Sequence, residues 1–160
     1  MHQTLQEEIR QTRPFGSLEQ EAALSIERTA AALRHSIGDA LRPFDLTPAQ
    51  LNVLRILRGA GQAGLCRHEI GDRLIARVPD VTRLLDRMEE AGLVSRERSA
   101  EDRRQVRTRI TEAGLALLAR TDAPLDALHA RQLGHLSQDQ LRTLVELLAL
   151  ARRVACQGKG

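Results

Sequence analysis

Apolar residues recur at helical spacing through most of the chain. Ile26, Ala30, Leu33, Ile37 and Leu41 stand three or four residues apart and predict a helix from Ser17 to Leu41, stopped by Pro43. A helix of about 25 residues is long for a globular domain, so this one is expected to pack on more than one neighbour. Leu51, Leu54 and Leu57 mark a second helix from Pro48 to Arg58, after which the run Gly59–Gly64 predicts a loop. Ile70 and Leu74 mark a short helix beginning at Arg67. Pro79 is expected to open the next, whose Val81, Leu84, Leu85 and Met88 sit at i, i+3, i+4 and i+7. Gly92 is placed to end it. Two short helices joined by a few residues read as a helix-turn-helix.

The period then changes. Val106, Thr108 and Ile110 alternate with Arg107 and Arg109, which predicts a strand with one buried face. Leu93–Arg98 is its expected partner and Ser99–Arg103 the hairpin tip. A hairpin directly after a helix-turn-helix is a wing. A long helix is expected from Thr111, with Pro124 kinking or interrupting it. A last one runs from Ser137 to Val154 on Leu141, Leu144, Val145, Leu148 and Ala151, widened by Leu147 and Leu150. The tail from Gln157 is expected to be disordered. Ser17, Thr47 and Ser137 each begin an S/T-x-x-Q run, the pattern of a capping box.

The fold class is therefore mainly α: a winged helix-turn-helix of about six helices and a two-stranded β-wing, with N- and C-terminal dimerisation helices. The expected organisation is one domain over 1–160. Within it, 47–110 forms the winged helix-turn-helix, and 17–42 with 111–156 the dimerisation part. Flanking helices with surplus apolar faces need a partner, and a two-fold homodimer is the economical one. Such a dimer sets two reading helices about 34 Å apart, or a multiple of that, on a palindromic double-stranded DNA site.

Composition narrows the partners. At 160 residues the chain is about one domain. No run reaches the roughly 20 apolar residues that span a bilayer, and the first residues lack the apolar stretch of a secretory signal. A cytoplasmic location without membrane contact is the default expectation. Cys66 and Cys156 are the two cysteines, too few for a disulfide framework or a four-ligand zinc site. The histidines are scattered, so no metal site and no cofactor is expected. Phe15 and Phe44 are the sole aromatics, which disfavours single-strand binding by base stacking. No G-x-S-x-G, phosphate loop or H-E-x-x-H occurs, so the chain does not read as an enzyme. Of 24 basic residues, 23 are arginine, the side chain suited to bidentate phosphate and base contacts. Six of them, with only three acids, fall within Ser95–Arg109. That stretch alone equals the net +3 of the whole chain.

Gly92-Leu-Val followed by Glu101-Asp-Arg-Arg-Gln-Val-Arg-Thr-Arg-Ile-Thr-Glu-Ala-Gly114 resembles the wing signature of the MarR family of winged-helix transcription regulators. Val81–Met88 resembles the family's recognition helix and Leu46–Leu54 its second helix. The likeness spans about residues 18–154, in order. It implies that Arg104 enters a minor groove with Asp102 as its clamp, and that Thr82 and Arg83 meet base edges and phosphates. Arg77, Arg98 and Arg103 join them as DNA-binding candidates. Asp80 replaces the family's usual Ser or Thr, either as a base-reading carboxylate or as a negative charge at a helix N-terminus. Thr108 stands where an aliphatic residue is usual.

The resemblance also implies a sensed effector, an unknown small molecule or an oxidant. A pocket between the first two helices and the long fifth one would hold His35, Asn52, Arg55 and His129. Cys66 falls at the expected N-cap of the third helix, beside Arg67 and His68, where a thiol can gain redox reactivity. The function expected is a sequence-specific, homodimeric repressor released by ligand or oxidation. The alternative is a winged-helix protein-interaction module that does not read DNA.

Overall fold

The structure, a computed structural model, describes residues 4–98 and 105–157, with side chains to Arg153. Its elements in chain order are α1 (Leu5–Glu8), α2 (Leu18–Leu41), α3 (Pro48–Ala60), α4 (Arg67–Arg73), α5 (Val81–Glu90), β1 (Val94–Arg98), β2 (Val106–Ile110), α6 (Glu112–Leu133) and α7 (Gln138–Gln157). This is the mainly α winged helix-turn-helix that the periodicity predicts. Single 3-10 turns follow α2 and α3, at Arg42–Phe44 and Gly61–Ala63. The chain forms two compact units, dividing between Thr121 and Asp122.

Each helix start has a local cause. Thr47 Oγ1 accepts from the Gln50 backbone N–H while the Gln50 side chain accepts from that of Thr47. Ser137 and Gln140 repeat the exchange at α7. Two orphan amides are satisfied each time. α5 begins at Val81, two residues after Pro79. Asp80 is its N-cap, and Asp80 Oδ1 accepts the Arg83 backbone N–H at 2.9 Å. The end of α5 is a Schellman closure: Leu93 N–H donates to Met88 O and Gly92 N–H to Glu89 O, both at 2.9 Å. Gly92 takes φ +72° there, open to glycine at little steric cost.

Several elements depart from expectation. α1 is a single turn made by a Thr4–Glu7 capping box, too short to leave a periodic signal. α3 continues to Ala60 rather than Arg58. Pro124 lies inside α6 without ending it, although its missing N–H deprives the Arg120 carbonyl of its usual partner. α7 reaches Gln157, the first residue of the expected disordered tail.

The core of the first unit gathers Leu41, Leu51, Val53, Leu54, Leu57, Ile70, Leu85, Met88 and Leu118, all buried. α3 lies against α2, α4 and β2, and α5 against α4 and β1. β1 and β2 pair antiparallel in the register Val94↔Ile110, Arg96↔Thr108 and Arg98↔Val106. Leu65 extends the ladder on the far side of β2, exchanging both backbone hydrogen bonds with Thr108 at 3.0 and 2.8 Å. Gly64 permits this approach. At its φ of +61° a Cβ would sit 2.7 Å from the Thr108 carbonyl oxygen. Thr108 is consequently buried, whereas Val106, expected on the same inward face, is 44% exposed beyond the reach of the core.

Candidate nucleic-acid interface

α5 is strongly two-sided. Leu85 and Met88 are buried, while Thr82, Arg83 and Arg87 are exposed on the opposite surface. Arg83 and Arg87 are four apart and so share a face. Arg87 was not among the residues singled out from the sequence, although that spacing was its signal. Arg77, in the turn before α5, is exposed too. The turn is held from beneath: Asn52 Oδ1 accepts the Ile75 backbone N–H at 2.8 Å. Asp80 stands exposed at the tip of α5 with one carboxylate oxygen occupied in capping.

The wing arginines sort into different tasks. Arg98 is exposed at the end of β1. Arg96 turns inward to Asp86 and Glu89 of α5. Arg109 Nε donates to the Gln62 carbonyl at 2.6 Å and its Nη1 to Glu97 at 2.7 Å. Arg107 Nη1 donates to the Gly64 carbonyl at 3.3 Å and lies 3.8 Å from Glu69. Much of the positive charge counted in the sequence is thus engaged within the fold. Asp102, Arg103 and Arg104 lie outside the described residues.

Cys66 is the N-cap of α4 and half-buried. The Glu69 carboxylate accepts from its backbone N–H at 2.8 Å and from its Sγ at 2.9 Å. His68 Nδ1 lies 3.1 Å from the same sulfur. The two bonds from Cys66, aided by Arg107 and Arg73, hold the Glu69 carboxyl below the ordinary carboxylate range. The hydrogen bonds from Arg96 do the same to Glu89.

The effector candidates lie on α2, α3 and α6. His35 is exposed beside Asp39, 3.4 Å away, and lines an open groove of about 590 Å³ between the C-terminal half of α2 and the start of α3. Asn52 and Arg55 are half-buried on α3 and absent from that lining, and Asn52 is taken up in holding the turn. His129 is exposed on the second unit's portion of α6. Among the described residues, no group of three or more His, Cys, Asp or Glu side chains is arranged to hold a metal, and no helix is long and apolar enough to cross a membrane.

A two-sided helix after a short turn, with a paired β-ribbon against it, defines a winged helix-turn-helix protein. The MarR family profile matches residues 46–106. A MarR transcription factor from Planctomyces limnophilus is 42% identical, with a TM-score of 0.65 over 86% of this chain and 99% of that one. A mutant MarR from E. coli complexed with operator DNA is 27% identical, at a TM-score of 0.75 over 85% of this chain and 99% of that one. The transcriptional repressor CouR, bound to a 23-mer DNA duplex, is 29% identical, at 0.75 over 88% and 98%. The chain belongs to the MarR family of transcription regulators.

Proposed function

We propose that this protein is a homodimeric, sequence-specific repressor that binds a palindromic double-stranded DNA operator and is released by a small ligand or by oxidation. The observation that carries the reading is the exposed basic surface of the helix-turn-helix. Arg77, Thr82, Arg83 and Arg87 face outward from it, and Arg98 faces outward from the wing at its side. Phosphate contacts from these arginines supply affinity and register, and base edges met by Thr82 and Arg83 supply specificity. By the family resemblance, Arg104 enters the minor groove with Asp102 as its clamp, and Arg103 is a further DNA-binding residue. Solved relatives bound to operator DNA and to a 23-mer duplex support the same reading.

In this reading residues 47–110 read DNA, and 17–42 with 111–156 join two copies. The dimer is supported by apolar side chains left open at both ends of the chain. Leu18 is 78% exposed on α2, and Val145, Leu147 and Leu150 are 64%, 59% and 54% exposed on α7. Large apolar side chains left in water in this number favour burial against a second copy. Release by ligand is supported by the groove beside His35, and release by oxidation by the placement of Cys66 at the N-cap of α4. Loss of the thiol hydrogen there removes one of the two bonds that tie Glu69 to the start of that helix.

The test is footprinting on genomic fragments selected by the purified protein, with light scattering to count the copies bound. Two copies on two protected half-sites, one helical turn (~34 Å) or a multiple apart, are expected. One copy per site, or unbroken protection of any duplex, overturns the reading.

A further inference from the structure

Arg96 belongs by sequence to the basic wing, yet it is bound differently from a phosphate-seeking arginine. Its side chain is only 25% exposed. One nitrogen, Nη2, lies 2.6 Å from both Asp86 Oδ1 and Glu89 Oε2. Nε donates to the same Glu89 oxygen at 2.9 Å. The other Glu89 oxygen accepts the Arg96 backbone N–H at 3.1 Å. That N–H faces away from β2, because Thr108 opposite Arg96 spends both its backbone groups on Leu65. Glu89 therefore satisfies an edge-strand donor as well as a charge.

On α5, Asp86 lies between Arg83 and Arg87 of the reading surface, and Glu89 between Arg87 and the helix end. The guanidinium thus joins β1 directly to the helix expected to read bases. On the other face of the ribbon, Arg109 and Arg107 tie β2 to the Gln62 and Gly64 carbonyls. A two-stranded ribbon has little stiffness of its own, so these side-chain ties, with the Leu65 backbone pairing on β2, decide where it points.

We propose that Arg96 is a positioning residue: its guanidinium, shared between Asp86 and Glu89, fixes the angle at which the wing stands off α5, so that helix and wing reach DNA together. This rests on the DNA-binding reading above. It also implies that Arg96 does not itself contact phosphate, and that Asp86 and Glu89 serve on α5 to hold it.

The experiment is hydroxyl-radical footprinting and titration of a selected operator with the full chain, alongside thermal melting. The variants are Arg96→Lys, Arg96→Met and the pair Asp86→Asn/Glu89→Gln. Lysine keeps the charge but loses the Nε–H bond to Glu89 and the planar group that fixes Nη2 between the two carboxylates, so Arg96→Lys should behave like Arg96→Met. Each should weaken operator binding about tenfold, the scale of one groove contact. Protection at the wing flanks should be lost and protection under α5 kept. The Asp86→Asn/Glu89→Gln pair separates the readings most sharply. Removing two negative charges and freeing Arg96 should tighten binding if Arg96 is a phosphate contact, and should cost flank protection if it is the clamp. Full affinity in Arg96→Lys, tighter binding with intact flanks in the pair, or uniform loss of both protections with the melting temperature overturns the clamp. A wild-type footprint with no flank protection at all overturns the wing's role in DNA binding, and the clamp with it.

Discussion

Asp80 offers a test in which stability and recognition separate. One carboxylate oxygen caps α5 by accepting the Arg83 N–H at 2.9 Å. Replacing such a cap by alanine costs about 1 kcal/mol, and losing a negative charge at a helix N-terminus adds a few tenths. For a chain of this length Asp80→Ala should lower the melting temperature by roughly 2–5 °C. Asp80→Ser keeps a capping oxygen and loses only the charge, so its cost should stay below about 0.5 kcal/mol. DNA binding should move the other way. A carboxylate about 8 Å from a phosphate costs about 0.5 kcal/mol in water before screening. At physiological salt 8 Å is about one Debye length, leaving roughly a third of that. Asp80→Ser should therefore bind every duplex about equally or up to about twofold more tightly, with unchanged base preference. Differential scanning fluorimetry and a set of single-base operator variants measure both. The reasoning fails if serine is as destabilising as alanine. It also fails if preference at one base pair shifts by about 1–3 kcal/mol, the size of a direct base contact.

Two further outcomes follow. Gly114 packs against the Leu93 carbonyl, and an added Cβ would overlap that oxygen and lie 2.8 Å from Ile110 Cγ1. Alanine's helix preference of about 1 kcal/mol is outweighed because the obstruction is backbone. Gly114→Ala should destabilise by about 1–3 kcal/mol in urea titration, and a neutral or stabilising result would refute that packing. The second concerns acid. The Glu89 and Glu69 carboxyls are held low in the folded state by their hydrogen bonds to Arg96 and Cys66, so the folded chain takes up those protons later than the unfolded one. Their contribution is complete above the ordinary Glu value of about 4.3 and is lost as pH falls through the lower folded values. Glu89→Gln should flatten the fall of the urea midpoint below that pH, and an identical slope in wild type and variant would contradict the assignment.

The helices were legible because their apolar positions repeat and their starts carry paired Thr/Ser and Gln residues. The wing was legible because its period shortens from Val106 to Ile110. What the sequence did not show is where each charge goes. Arg96, Arg98, Arg107 and Arg109 look alike along the strand, yet alternation sends Arg96 towards α5 and Arg107 and Arg109 towards the Gln62–Gly64 turn, each meeting acceptors distant in sequence. Leu65 pairs with β2 as a single residue, too short to show a period. Thr4–Glu7 forms one capped turn with no apolar repeat behind it. Asn52 had the composition of a ligand contact, but its amide serves the backbone of the turn before α5. His35 and His129 carry no periodic signal that would have shown the open surfaces they occupy.

The central claim is that the exposed face of α5 reads DNA sequence, and fluorescence anisotropy tests it most directly. Wild type and Arg83→Ala would be titrated with DNA flanking the protein's own gene, across a salt series and against an unrelated competitor duplex. The account predicts saturable wild-type binding near 10 nM, on the order of specific regulators, resisting competitor and weakened by about 1–3 kcal/mol in Arg83→Ala. Equal binding of both duplexes by both proteins, declining with log salt as phosphate contacts alone require, would contradict it.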